Sequence, residues 1–279
     1  MKSIFIATLV FSFSLANAQQ IKATYSLKVT RNVDFKGNPN MPKQVIERIK
    51  KRLAEPVSYD LFFDQTQSIY KQQQKLDTPQ SQSGGRGDRW MRYGASSQNI
   101  IHTNLATRKQ TNQQDLFGKI FLVKKDIKIP KWNFTGESKQ IGQYTAYEAT
   151  YTQMQNPPQF RMPFGRRGGA DQEEEKKPEK IEVTVSAWFT PDIPISAGPD
   201  SYFGLPGLVL MVQDNNKVLV CTEVQMNSKE KIKLTPPKKG KEVTGNEFNK
   251  IREEKSKEMR DRFQNNSNRN SQNRMFIRN

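Results

Sequence analysis

The segment Trp188-Phe-Thr-Pro-Asp-Ile-Pro-Ile-Ser-Ala-Gly-Pro-Asp-Ser-Tyr-Phe-Gly-Leu-Pro-Gly-Leu-Val-Leu210 constrains the fold more than any other. Each Pro fixes φ and removes a backbone donor, so neither a helix interior nor a central strand can run through it. Gly198, Gly204 and Gly207 admit positive φ, and Gly204-Leu-Pro-Gly207 is expected to form a tight turn. Leu205 precedes Pro206 and is therefore extended, and Leu208, Leu210 and Val212 alternate as a strand leaving the turn. Asp192, between Pro191 and Ile193, is expected to cap a turn through its own backbone.

Sheet patterning surrounds this segment. Ile21, Ala23, Tyr25, Leu27 and Val29 alternate with polar residues, as in a strand with one buried face. Val45, Ile46, Ile49 and Leu53 share one helical face. Tyr59, Leu61 and Phe63, then Ile69 and Tyr70, predict a hairpin around 64–67. Three short strands are expected near 99–105, 108–114 and 120–123, and another at 147–151. The strand at 181–189 feeds the Pro-Gly segment, and 208–212 with 218–226 form a hairpin about Asp214-Asn-Asn-Lys217. Thr244-Gly-Asn-Glu247 has capping-box spacing before a terminal helix. The expected fold is mainly β (α+β): a curved antiparallel sheet or half-barrel with one covering helix. Residues 19–235 would form one domain with loop insertions near 71–89 and 156–180. Residues 236–279 would be a basic tail, helical to about 263 and disordered beyond.

Met1-Lys-Ser, an apolar stretch from Ile4 to Leu15 and Ala16-Asn-Ala18 follow the order of a cleavable signal peptide. Residues 1–18 are therefore expected to be removed on export to the periplasm or outer membrane. No cysteine follows the expected cut, so a lipid anchor is not expected, and no stretch has the length of a transmembrane span. Cys221 cannot form an internal disulfide and is expected as a small buried hydrophobe. A net charge of +17 would point to nucleic acid in the cytosol; export redirects it towards anionic lipid headgroups and polysaccharide.

The Pro-Gly segment carries a resemblance as well as a constraint. Gly204-Leu-Pro-Gly-Leu-Val209 resembles the signature of the GLPGLI family with Val209 in place of Ile, and the Trp188 to Pro199 stretch is similar to that family's Trp-aromatic-Thr, Ile-Pro and Gly-Pro pattern. Residues 127–151 resemble its middle region more weakly. The resemblance implies an exported envelope protein of Gram-negative bacteria, from a family mostly without an assigned activity whose members often accompany outer-membrane receptor systems. Its signature positions are Trp188, Pro194, Gly198, Pro199, Gly204, Leu205, Pro206, Gly207 and Leu208.

Chemistry is sparse. His102 is the single histidine, which leaves serine, cysteine and metal hydrolases without their usual base or ligands, and no metal or cofactor is expected. Asp60, Asp64, Asp192 and Glu223 are the carboxylates that could pair as acid and base. The stretch from Phe160 to Arg167 offers Phe160, Arg161, Phe164, Arg166 and Arg167 as partner contacts. The expected role is an envelope accessory or binding protein, its partner an envelope protein, an outer-membrane receptor component or an anionic or lipidic ligand, with no nucleic acid. A carboxylate-dependent hydrolase and a structural envelope protein are the alternatives. Mass spectrometry of the exported protein should find Gln19 as its first residue; an intact Met1 would remove the export argument.

Overall fold

The computed structural model describes residues 20–30, 43–74, 99–155, 179–228, 230 and 232–276. The expected signal peptide and the 160–167 contact residues lie outside this set. Among the described residues twelve strands form one open sheet, in the order β12-β6-β5-β4-β3-β2-β1-β11-β10-β9-β8-β7. The strands are β1 (Ile21–Val29), β2 (Val57–Phe63), β3 (Gln67–Gln72), β4 (Ile100–Asn104), β5 (Lys109–Leu116), β6 (Lys119–Asp126), β7 (Asn133–Ile141), β8 (Tyr144–Gln155), β9 (Ile181–Thr190), β10 (Leu208–Asp214), β11 (Lys217–Gln225) and β12 (Lys241–Thr244). Two antiparallel meanders meet where β1 pairs with β11. The pairing is antiparallel as expected except at one edge, where β12 runs parallel to β6.

Connectivity forces the sheet to curl. β6 and β7 lie ten strand steps apart, about 48 Å along a flat sheet at 4.8 Å per strand. Only residues 127–132 join them, and seven Cα steps reach at most about 27 Å. The two wings must therefore approach each other, and the linker bridges the mouth of the curl. It is fastened at both ends and in the middle: Ile127 N–H donates to the Arg108 carbonyl at 2.9 Å, Ile129 packs on Gly204, and Trp132 Nε1 donates to the Phe203 carbonyl at 3.1 Å.

The concave face is the core. Strand alternation sends Ala23, Tyr25, Leu61, Phe63, Tyr70, Ala149, Val185, Ala187, Phe189, Leu208, Val212 and Leu219 into it. Residues 191–207, between β9 and β10, fold back over this face and fill it with Ile193, Ala197, Tyr202, Phe203 and Leu205. The sheet thus carries its own plug.

The convex face is crossed by the chain between β11 and β12, which passes six strands to reach the far edge. Gln20 clasps Ile232 through both its amide donor and acceptor, Glu230 reaches Lys22 at 3.0 Å and Lys71 at 3.5 Å, and the Leu234 carbonyl lies 3.3 Å from His102 Nε2. This strap explains why Phe62, Ile69, His102 and Leu122 are buried although they face away from the core.

α1 (Lys43–Ala54) lies against β1. α2 (Gly245–Phe276) packs Phe248 and Ile251 on Phe121, Val123 and Val243 at the β12 edge. Its capping box is formed: Thr244 N–H donates to Glu247 Oε2 at 2.7 Å and Glu247 N–H to Thr244 Oγ1 at 3.3 Å. Those donors hold the Glu247 carboxyl below its ordinary range. The helix continues past the expected end near Phe263 to Phe276, because no Pro or Gly interrupts that Asn- and Ser-rich stretch.

Burial under the strap holds His102 below the ordinary imidazole value, with the Leu234 carbonyl partly offsetting it. The unfolded chain then binds more protons than the native one between that depressed value and about 6.5, so this contribution is complete above 6.5 and is lost as pH falls through the window. Thermal melts across this range should show a smaller acid-induced loss of stability for His102→Gln than for the wild type; parallel pH profiles would exclude the strap contact as the cause.

Candidate functional site

The Pro-Gly segment holds its shape through backbone bonds that close on themselves. Ile195 N–H donates to the Ile193 carbonyl, Ala197 N–H to Ile195 and Gly207 N–H to Leu205, each at 2.7 to 2.8 Å across three residues. Tyr202 N–H closes a turn on the Pro199 carbonyl at 3.0 Å. Leu208 and Val209 N–H groups then return to the Ile193 and Ala197 carbonyls, stitching the plug to the start of β10. These bonds occupy backbone groups that the interior of a sheet would otherwise leave bare.

Of the three signature glycines, only Gly204 has positive φ, at +94°. The other two are required by contact: a Cβ on Gly198 would lie 1.8 Å from the Tyr202 carbonyl oxygen, and one on Gly207 2.0 Å from that of Thr190. The freedom of positive φ that glycine admits is thus used at Gly204 alone of the three. Leu205 and Leu208 are core residues, Gly198 and Pro199 are buried, and Pro194 and Pro206 are exposed. Trp188 points to the opposite side of the sheet from Ala187 and Phe189, where Lys139 Nζ lies 3.7 Å from its ring centre. The signature is therefore two things in space: a plug inside the curl and a tryptophan outside it.

The four carboxylates marked in the sequence do not assemble. Asp64 caps the β2–β3 turn, accepting from the Thr66 and Gln67 N–H groups at 2.8 Å. Asp192 is exposed and receives nothing from its own turn; its N–H donates to Thr190 Oγ1 at 3.3 Å instead. Asp60 and Glu223 both face Thr24, one strand to either side, about 10 Å apart. Asp60 is committed to Thr24, Gln73 and Lys22, and Glu223 is exposed beside Gln225. An open cleft of about 570 Å³ beside Asp60 is lined by Lys71, Gln73, Ile100, Gln113 and Glu230 and does not extend to Glu223. Burial works against the Lys22 charge there, but Glu230 and Asp60 outweigh it and hold the ammonium above its ordinary value. Among the described residues no group of three His, Cys, Asp or Glu side chains could hold a metal.

Two further carboxylates, Asp200 and Asp214, which no motif announces, are near enough for the Asp214 charge to act on Asp200. Asp214 ends β10 and is buried, accepting from Tyr202 Oη and from Gln155 Nε2 at 2.7 Å. Asp200 sits in the plug with φ +54°, its carbonyl accepting from Gln110 Nε2 at 3.4 Å. Its charge reaches the hydroxyls of Tyr59, Tyr70, Tyr151 and Tyr202. Burial pushes its carboxyl up, Lys125 and Lys217 pull it down, and Asp214 raises it again. Tyr25 adds a further strut by donating to the Val209 carbonyl at 2.6 Å. Burial pushes the Cys221 thiol up to about 12, which makes it a poor nucleophile.

The outer hairpin is the second feature. β7 is an edge strand, exposed along most of its length, and it carries Phe134 at 63 % exposure. Phe134 and Tyr147 flank Phe189, with ring centres 5.9 and 6.3 Å from it. Met154 and Ile181 are exposed on the neighbouring strands. β7 lacks the alternation that marks a strand over residues 133–138, all of which are exposed; Lys139 and Ile141 are half-buried.

Residues 132–211 match the model of a family described as "Protein of unknown function (Porph_ging)". The matched stretch opens at Trp132, contains β7, β8, β9 and the plug, and closes in β10. No curated protein matches the chain. Solved structures of PNGF-II in its C2 and P21 crystal forms are similar, at 12 % and 14 % identity and a TM-score of 0.47 for each. The similarity covers 84 % of this chain, which spans about a third of theirs (32 % and 33 %).

Gly207→Ala should cost about 3 to 5 kcal/mol, since the Thr190 backbone cannot step aside without breaking the β9–β10 pairing. Gly245→Ala, which meets nothing within 4 Å, should stay within about 1 kcal/mol of the wild type. Urea unfolding of both measures the contrast, and equal midpoints would contradict the close approach.

Proposed function

We propose that this is an exported envelope accessory protein that acts by associating with another envelope protein through its outer hairpin, not by turning over a substrate. The observation that carries the reading is the free β7 edge beside an uncovered aromatic pair, Phe134 and Tyr147, on a sheet whose concave face is already filled. An unpaired strand presents a row of backbone donors and acceptors, and exposed aromatic side chains beside it supply the apolar area that interfaces use. Four of the seven large exposed hydrophobics of the described residues, Phe134, Tyr147, Met154 and Ile181, belong to β7, β8 and β9.

Export is supported by the order of residues 1–18, and an envelope role by the resemblance of the signature to the GLPGLI family. The segment bearing Phe160, Arg161, Phe164, Arg166 and Arg167 leaves β8 at Gln155 and rejoins the sheet at Ile181. Thr150 pairs with Asn133, so the segment is tethered at the end of the hairpin where Phe134 lies.

Affinity capture from an envelope extract, with crosslinking to fix contacts, tests the reading. Phe134→Asp with Tyr147→Ser should lose the captured protein while remaining folded by circular dichroism, at a somewhat lowered melting temperature because both rings pack on Phe189, and deletion of 156–178 should weaken capture. Unchanged capture by the double variant would overturn the proposal, as would robust hydrolysis of envelope polymers by the purified protein.

A further inference from the structure

Positive charge gathers where the β6–β7 linker leaves the sheet. Residues 105–109 and 124–132 carry six cations and a single carboxylate, Asp126. Lys124 is taken by Glu242 at 2.7 Å, and Lys109 stands opposite Asp126 in the β5–β6 register. Arg108, Lys125, Lys128 and Lys131 remain, all exposed, and none forms an ion pair with a described residue. The backbone brings them together. Ile127 N–H donates to the Arg108 carbonyl at 2.9 Å, so Arg108 lies across from a residue two past Lys125 and one before Lys128. Lys131 follows Lys128 by three Cα steps, at most about 11 Å. Between these two lysines is Ile129, 46 % exposed although its Cγ2 packs on Gly204.

Like charges held this close repel one another, and an anionic partner relieves that repulsion. The linker has little freedom to lose on docking, since Ile127, Ile129 and Trp132 already fasten it to both wings and to the plug. An acidic polymer would engage the cations alone. A bilayer surface uses both features: headgroup phosphates meet the cations, and the boundary of the acyl chains accepts the outer part of the isoleucine. We propose that Arg108, Lys125, Lys128 and Lys131, with Ile129 among them, form a docking face for the surface of an anionic lipid bilayer.

Sedimentation with protein-free vesicles tests this face without involving Phe134 or Tyr147, so its failure and the failure of the association reading are read separately. Protein purified from the exported fraction is mixed with vesicles of phosphatidylcholine, alone or with about a third phosphatidylglycerol, at about 0.15 M salt. It should bind the anionic vesicles at least about tenfold more tightly than the neutral ones. Lys128→Gln with Lys131→Gln should weaken that binding about tenfold or more. Lys238→Gln with Lys239→Gln removes the same charge elsewhere. Those exposed lysines precede Gly240, which lies against Ile120, five strand residues or about 17 Å from Lys125. That exceeds the screening length, so this control should weaken binding less than about threefold. Ile129→Thr keeps the Cγ2 that meets Gly204 and should weaken vesicle binding about threefold or more, while leaving binding to dextran sulfate unchanged. The proposal is overturned if neutral vesicles bind as well as anionic ones or if the two double lysine variants weaken binding equally. It is also overturned if Ile129→Thr leaves vesicle binding unchanged, which would make an acidic polymer the partner.

Discussion

Six residues join two strands that the sheet order places ten steps apart, and the rest of the structure follows from that short tether. A flat sheet would tear it, so the sheet curls; a curled sheet has a concave apolar face, and a concave face too shallow to close on itself must be covered. The Pro-Gly segment does this from within, between β9 and β10. It arrives with few conformations to lose, since prolines have already restricted its unfolded chain. The tether and plug then hold each other. Ile129 occupies the space above Gly204, and Trp132 bonds to Phe203, so the link that bends the sheet is also fixed by what fills the bend.

Aromatic side chains carry the polar accounting of this interior. Tyr25 reaches the Val209 carbonyl at the mouth of the plug, Tyr202 reaches Asp214, and Trp132 reaches Phe203. Each brings a large apolar body to the core and one donor to an acceptor that the strand ladder does not serve, a division of labour that Leu or Phe cannot provide. The net gain from each bond is modest, near 1 kcal/mol, but an unfilled carbonyl at the same place would cost more than that. Burial and hydrogen bonding therefore act on the same residues here, and neither accounts for the plug without the other.

How much of this the sequence disclosed depended on whether a segment solved its problem locally. β1 was legible because one of its faces is wet and the other is core, and the capping box of α2 because four consecutive residues complete it. β7 was not, since residues 133–138 are exposed on both faces and have no reason to alternate, and four-residue β12 exists only because β6 offers it an edge. β5 misled in the other direction: Gln110, Thr111, Asn112 and Gln113 suggest a wet face, yet all four are buried, two under the strap and two beside the plug. Glycine was marked correctly in the signature but for one cause where two operate, because a close approach to a carbonyl three-dimensionally adjacent leaves no trace in local spacing. Asp200 shows the same limit. Between a proline and a serine it looks like a turn residue, and only the fold sets its carbonyl beside Gln110 on β5.

A sheet that spends its concave face on its own chain has given up the usual place for a ligand, which changes where function can reside. What stays available is the outer hairpin, where β7 keeps one edge unpaired. Its backbone groups are open along a line and suit an extended partner. The plug's own polar turn is spent on the fold: the Asp200 carbonyl accepts from Gln110 on β5, across the curl and outside the stretch matched by the family model, so the segment that fills the bend is tied to both wings of the sheet.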